Sequence, residues 1–422
     1  MLYDIAFLIF SLFYLPALIF KGKMHRDFLQ RFGKYDPVTL ATLEYFKSAI
    51  WIQAVSVGEV ALCKSLIPQL KERFPGRPIV LSTITKTGND LAKREFSQYA
   101  AVIYFPLDLS FIARRVVNMV KPSVYIMVET EIWPGVLREL SREKVPSIII
   151  NGRISDRSFG KYKLARPFLK RTLSGISRFC MQSDLDAERI IEMGAAAGKV
   201  RITGSMKFDA AGDTKAGAPV PSVRLKPGEE LFVAGSTHDG EEDAVISAYK
   251  TLTGEFPDLR LLVAPRHITR VADVEKAVRG AGFEPVRVSK CQGVKASDVL
   301  VLDTIGHLKD FYSVATLVFI GGSLVKHGGQ NPIEPALFEK PIIFGPHMFN
   351  FKAIAASFVN NGGAVQVDGP AGLLEECRRL LRDKPARQAL GANAKRTVAE
   401  NRGATGKNIE AIADLVLGSR KE

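Results

Sequence analysis

Short apolar runs alternate with helix-period stretches twice along this chain, and that alternation limits the fold more than any other feature. The runs IWIQAV (50–55), PIVLSTI, AVIYF, SVYIMVET, PSIIIN, RFCMQ and KVRITG read as buried strands. Amphipathic stretches such as LSFIARRVVNMV and DLDAERIIEMG lie between them. Strands this short, separated by helices of this length, predict a parallel sheet covered by helices on both faces. The pattern lapses over 210–229, AAGDTKAGAPVPSVRLKPGE, which is rich in Gly, Pro and Ala and reads as a linker. It then resumes as ELFVAGST, LRLLVAPR, DVLVLDTIG, TLVFIGGS and PIIFG. At 422 residues the chain exceeds one ordinary core. The reading is therefore α/β, with two doubly wound domains, 23–209 and 230–422, the second ending in charged helices from about 370. Ligands of such sheets gather at the carboxyl ends of the strands, so two facing domains predict an active site in a cleft between them.

Charge and hydropathy add a membrane. Residues 5–20, IAFLIFSLFYLPALIF, carry no charge, and Lys21, Lys23, His25, Arg26 and Arg31 follow at once. The run is short for a spanning helix, and a buried core helix is the plainer reading. The basic flank favours an uncleaved anchor over 1–22, spanning or half-buried, with the rest of the chain in the cytoplasm. Overall, 58 basic against 44 acidic residues give a net charge of +14, which favours an anionic partner: nucleic acid, an acidic membrane or a phosphorylated substrate. The four cysteines lie far apart with no CxxC pair, and the six histidines show no metal-ligand spacing, so neither a disulfide framework nor a metal site is expected.

Several strand ends carry chemistry-bearing residues. In SVGEV, Ser56 and Glu59 fit a capping box, and pattern alone favours that role, although a carboxylate there can also take a proton from a hydroxyl. VETEIWPG sets Glu129 and Glu131 at the end of an apolar strand, as helix-start acids or as site residues. TGSMKFD brings Lys207 and Asp209, and APRH brings Pro265, Arg266 and His267, where a guanidinium fork suits a phosphate. FIGGSLVKHGGQNPIEPALF has two glycine pairs, then Asn331 to cap a helix opening at Pro332, with Ile333 and Glu334 following. Free N–H groups under a glycine-rich loop predict a phosphate or nucleotide site, with Glu334 placed to accept from a ribose diol. No GxGxxG follows a strand, and GATGKN near 403 lacks the spacing of a P-loop.

The order SVGE, ETEIWP, TGSMKFD, GSTHDGEE, APRH, FIGGSLVKHGGQNPIEPA strongly resembles the bacterial Kdo transferases, which add 3-deoxy-D-manno-octulosonic acid (Kdo) to the lipid A precursor of lipopolysaccharide. The resemblance runs from the anchor to about residue 355. It implies the GT-B glycosyltransferase fold, two Rossmann-like domains with the acceptor on the first and CMP-Kdo mainly on the second. It implies Glu59 as general base, with Glu129 and Lys207 supporting the transition state. Donor contacts would fall on Pro265 and Arg266, on Ile305, Gly306 and His307 after the Asp-Thr pair, and on Asn331, Pro332, Ile333 and Glu334. The implied partners are CMP-Kdo, a lipid A precursor and the anionic inner-membrane surface at its cytoplasmic face, with no nucleic acid, cofactor or metal, and with inversion at the anomeric carbon. Two positions depart from the family pattern: His307 stands where an acid is expected, and Gln330 where a histidine is expected. Two rivals stay open at this point: a GT-B enzyme using a UDP-sugar, and a membrane-tethered α/β protein that binds anions without catalysis.

Overall fold

The computed structural model describes residues 3, 4, 7, 26–212, 225–291 and 298–418, in two compact units: Met1–Ala210 with Arg402–Glu422, and Ala211–Asn401. The first unit holds strands β1 (Ala49–Gln53), β2 (Ile79–Thr83), β3 (Ala101–Tyr104), β4 (Pro122–Val128), β5 (Ser147–Gly152), β6 (Arg178–Met181) and β7 (Val200–Ile202). Their spatial order is β3-β2-β1-β4-β5-β6-β7, every neighbouring pair parallel. Alternate residues of β1 enter opposite cores. Ala49 and Trp51 join Phe105 and Tyr125 on one face, while Ile50 and Ile52 join Leu66 and Val124 on the other. A strand buried on both faces is what an uninterrupted apolar run encodes.

The second unit holds β8 (Glu230–Thr237), β9 (Leu259–Pro265), β10 (Glu284–Arg287), β11 (Asp298–Val301), β12 (Leu317–Ile320), β13 (Ile342–Phe344) and β14 (Val365–Gln366). Their order is β10-β11-β9-β8-β12-β13-β14, again all parallel. The sequence reading anticipated neither β10 nor β14. Both are edge strands whose segments, EPVR and VQ, are too short or too polar to form an apolar run.

One boundary needs correction. The second domain was expected to run to 422, yet the last helix, Ala404–Gly418, belongs to the first unit. It buries Ile409, Ile412 and Val416 in the core that holds Cys63, Leu66 and Ile52. Asp209, singled out with Lys207 in TGSMKFD, fixes the start of that helix: its carboxylate accepts the N–H groups of Gly403 at 2.8 Å and Thr405 at 2.6 Å. An N-terminal carboxylate both satisfies orphan donors and suits the helix dipole.

The expected anchor lies outside the described residues except for Tyr3, Asp4 and Phe7, as does 213–224 of the expected linker. Among the described residues no helix is long and apolar enough to cross a membrane. The chain's start is nonetheless tied to the first unit. The Tyr3 hydroxyl donates to Asp108, and the Asp4 carboxylate accepts the N–H of Ser110 at 2.8 Å.

Candidate active site

In the first sheet the strand order reverses between β1 and β4, and the acids lie at the carboxyl ends of those two strands. Glu59 occupies the first turn of the helix Val57–Arg73 that follows β1. Its carboxylate accepts the Val55 N–H at 2.6 Å and the Ser56 hydroxyl at 2.9 Å. The expected capping box does not form: Glu59 reaches back one residue beyond the N-cap, to the Val55 N–H. Ser56 makes no side-chain cap and turns its hydroxyl to the carboxylate instead. Burial pushes the Glu59 carboxyl up to about 8; the Val55 N–H opposes, and the carboxylates of Glu131 and Glu129 push further in the same direction.

Glu129 and Glu131 follow β4. Glu129 has a left-handed backbone, φ +61°, and its N–H donates to Ile150 O at 2.9 Å. For a residue with a Cβ that conformation costs about 1–2 kcal/mol, and strain of this kind concentrates at functional sites. Asn151 at the end of neighbouring β5 is left-handed too, φ +52°, and its side-chain oxygen accepts the N–H of Met206 at 2.9 Å, one residue before Lys207. Thr130 fastens the same turn from the other side, exchanging hydrogen bonds with the backbone of Arg153 at 2.8 and 3.0 Å.

These ties set Glu129 near enough to bear on Glu59, Glu131 and Lys207, and Glu131 near enough to bear on Glu59. Burial holds the Lys207 ammonium below its usual range, Glu129 pulls it back up and Arg153 pushes it further down. Burial raises Glu131 to about 7, and Glu129 adds to the rise. Glu131, not among the site residues that the resemblance implies, acts on Glu59 more strongly than Glu129 does. The signal was present in the second acid of ETE. Asp108 was missed altogether. Its carboxylate accepts the N–H groups of Gly135 at 2.9 Å and Val136 at 2.7 Å, so it fixes the helix Pro134–Arg142 directly after the acidic turn.

In the second sheet the order reverses between β8 and β12. Pro265 ends β9, and the Arg266 N–H donates to Thr237 O at 2.9 Å, leaving an exposed guanidinium beside the end of β8. Ile305, Gly306 and His307 form the turn after β11. Ile305 is 85 % exposed, and the His307 ring lies 3.3 Å from the Asp310 carboxylate. After β12, a Cβ on Gly321 would stand 2.3 Å from Ser236 O, so only glycine lets these two loops touch.

The Asn331 region differs from expectation. Asn331 accepts the Ile333 N–H at 3.0 Å, but the helix there is the five residues Ile333–Leu337 with Pro332 as its cap. So short a helix has little macrodipole, and the anion attraction expected from it shrinks accordingly. Positive charge comes from side chains instead. Burial raises Glu334, while its hydrogen bond from Asn331 and the nearby Lys309 and Arg266 hold it down. The structure thus brings Arg266, Asn331 and Glu334 together, with Lys309 as an addition. A further unanticipated residue is Glu241, wholly buried, whose carboxylate accepts four backbone N–H groups: His238 at 2.9 Å, Gly322 at 2.6 Å, and Ser323 and Leu324 at 2.9 Å each. It ties the loop after β8 to the loop after β12. The H-x-x-E spacing in GSTHDGEE was its only trace in the sequence.

Comparison with known proteins identifies the family. Residues 26–210 match the family model described as 3-Deoxy-D-manno-octulosonic-acid transferase (kdotransferase). The 3-deoxy-D-manno-octulosonic acid transferase of Haemophilus influenzae is 33% identical over 408 residues, covering 96% of this chain and 94% of its own length. That of Bordetella pertussis is 30% identical over 404 residues, covering 91% and 90%. Among solved structures, UDP-GlcNAc 2-epimerase from Neisseria meningitidis bound to UDP-GlcNAc superposes with a TM-score of 0.60 at 12% identity, over 87% of this chain and 100% of that one. At that identity the likeness speaks for the fold alone, two parallel-sheet α/β domains of the GT-B type. With two relatives at 30% identity or more that align along nearly their whole length, the chain belongs to the 3-deoxy-D-manno-octulosonic acid transferases, a family of glycosyltransferases.

Proposed function

We propose that the protein transfers Kdo from CMP-Kdo to a lipid A precursor, with inversion and release of CMP. The observation that carries the chemistry is Glu59: a buried carboxylate at the strand-order reversal, held by two donors and rendered strongly basic by burial and two neighbouring acids. Its carboxylate takes the proton of the acceptor hydroxyl as that oxygen bonds to the anomeric carbon. The bond from that carbon to the phosphate oxygen breaks, and CMP leaves with the electron pair. Lys207 and Glu129 hold the developing charge around the acceptor in the first unit. Arg266 serves the donor phosphate, and Asn331 and Glu334 the nucleoside, in the second. The turn Ile305–His307 adds backbone contacts to the nucleotide.

The same reading includes an N-terminal anchor and a place at the cytoplasmic face of the inner membrane, against anionic lipid. In support, the uncharged run 5–20 and its basic flank adjoin two residues, Tyr3 and Asp4, that bond to the first unit. Tyr3 stacks on Phe168, which is 47 % exposed, and Asp4 holds Ser110 next to Phe111, 70 % exposed, so apolar surface collects where the anchor would enter the bilayer.

Purified protein given CMP-Kdo, generated in place, and a tetra-acylated lipid A precursor should add one or more Kdo residues to the lipid, read by mass spectrometry. An unmodified lipid, with folded protein that instead consumes a UDP-sugar, would overturn the reading. Glu59 must be ionised to act, and its carboxyl loses its proton near pH 8. We therefore expect kcat/KM to rise about tenfold per pH unit below that value and to level above it. A profile flat from pH 5.5 to 8 would remove Glu59 as the base.

A further inference from the structure

The loops after β8 and β12 and the end of β9 bring three histidines together where the second sheet reverses its order. The His238 ring stacks on His327 at 4.2 Å between centroids with 14° between planes, and meets His267 edge-on at 6.0 Å. None of the three belongs to the donor contacts assigned above. Glu241 fixes the backbone on both sides of the stack, and the side-chain nitrogen of Gln330 lies 3.2 Å from His238 Nε2. The rings are not disposed around a metal: among the described residues no group of three or more ligating side chains is placed to hold one.

The charges around the stack are unbalanced. Of the nearby acids, Glu242 and Asp239 are engaged by Arg270, at 2.6 and 2.8 Å, and Glu241 by four N–H groups. Arg266 and the imidazoles are left to set the potential of the mouth. Burial, then His327, His267, Arg266 and Arg270, hold His238 down at about 4. Three imidazoles beside a guanidinium, with the neighbouring acids already engaged, form a site suited to an anion.

We propose that His238, His327 and His267 form a subsite for the carboxylate of the donor's sugar acid, an inference that rests on the CMP-Kdo reading above. In such a donor the carboxylate and the phosphate oxygen are attached to the same anomeric carbon. A phosphate held by Arg266 therefore sets the carboxylate beside the next residue, His267, and its stacked neighbours. The subsite also selects the donor, because a neutral sugar on UDP offers the imidazole N–H groups no carboxylate to accept from them.

The test compares CMP-Kdo with CMP, which has the phosphate but no carboxylate. In His238→Ala, and in His327→Ala, whose side chain is exposed and whose loss spares the fold, KM for CMP-Kdo should rise about tenfold or more. The inhibition constant of CMP should stay within about twofold. An equal rise for CMP would place the histidines on the phosphate and overturn the proposal, as would unchanged values for both ligands in both variants. Wild-type protein that binds CMP yet turns over no CMP-Kdo would sink the donor reading itself, and this subsite with it.

Discussion

Glu59→Gln is expected to lower kcat by roughly 10²–10⁴-fold, the usual worth of a positioned general base. The substitution keeps size and shape. The amide oxygen still accepts the Val55 N–H, and the Ser56 hydroxyl can turn to accept from the new NH₂. The fold loses little, and the buried ionisable group disappears. Affinity for CMP should not change, because the proposed donor contacts Arg266, Asn331 and Glu334 belong to the other unit. Single-turnover rates with saturating CMP-Kdo, beside CMP binding by calorimetry, separate the two quantities. A variant within a fewfold of wild-type rate would make Glu59 a cap and nothing more. A variant that loses CMP affinity as well as rate would show that the residue had been misassigned.

The second large effect is expected on stability. Glu241→Gln replaces an acceptor of four buried N–H groups by a side chain with a single acceptor oxygen. Whichever way the amide turns, its NH₂ faces donors on one side, either His238 and Gly322 or Ser323 and Leu324. Two buried N–H groups then lack partners, which costs about 3–5 kcal/mol. For a unit of this size the corresponding fall in Tm is roughly 10 °C. Calorimetry of the full chain should show the second unit melting earlier while the first unit's transition stays put. An unshifted thermogram would mean that the four contacts contribute nothing net.

Legibility of this chain in its sequence followed burial. The central strands, β1 and β4 in one sheet and β8, β9 and β12 in the other, are covered on both faces and therefore appear as unbroken apolar runs. The edge strands β10 and β14, EPVR and VQ, hold too few apolar residues to appear, whereas the edge strands β3 and β7 were legible in AVIYF and KVRITG. Glu59 was legible in part: the spacing to Ser56 correctly announced a local hydrogen bond, but not its direction. Glu131 and Glu241 were harder for a common reason. Their partners, Glu59 in one case and the 322–324 loop in the other, are distant in sequence, and no local pattern reports a long-range contact. The Asn331 motif misled in the opposite sense. Its capping residues are present, but the helix they announce stops after five residues, at Leu337.

The closing helix has a consequence for the order of events during synthesis. The second unit is one continuous segment, whereas the first is interrupted and needs Ile409, Ile412 and Val416 to cover Cys63 and Leu66. On a ribosome those residues emerge after the entire second unit, a delay of roughly 10–40 s at ordinary elongation rates. Throughout that interval the first sheet exposes an apolar groove, and the last residue of the second unit, Asn401, emerges before the groove is covered. Synthesis thus runs from the first unit to the second, but completion runs the other way, and the half that bears Glu59 is the last to be finished.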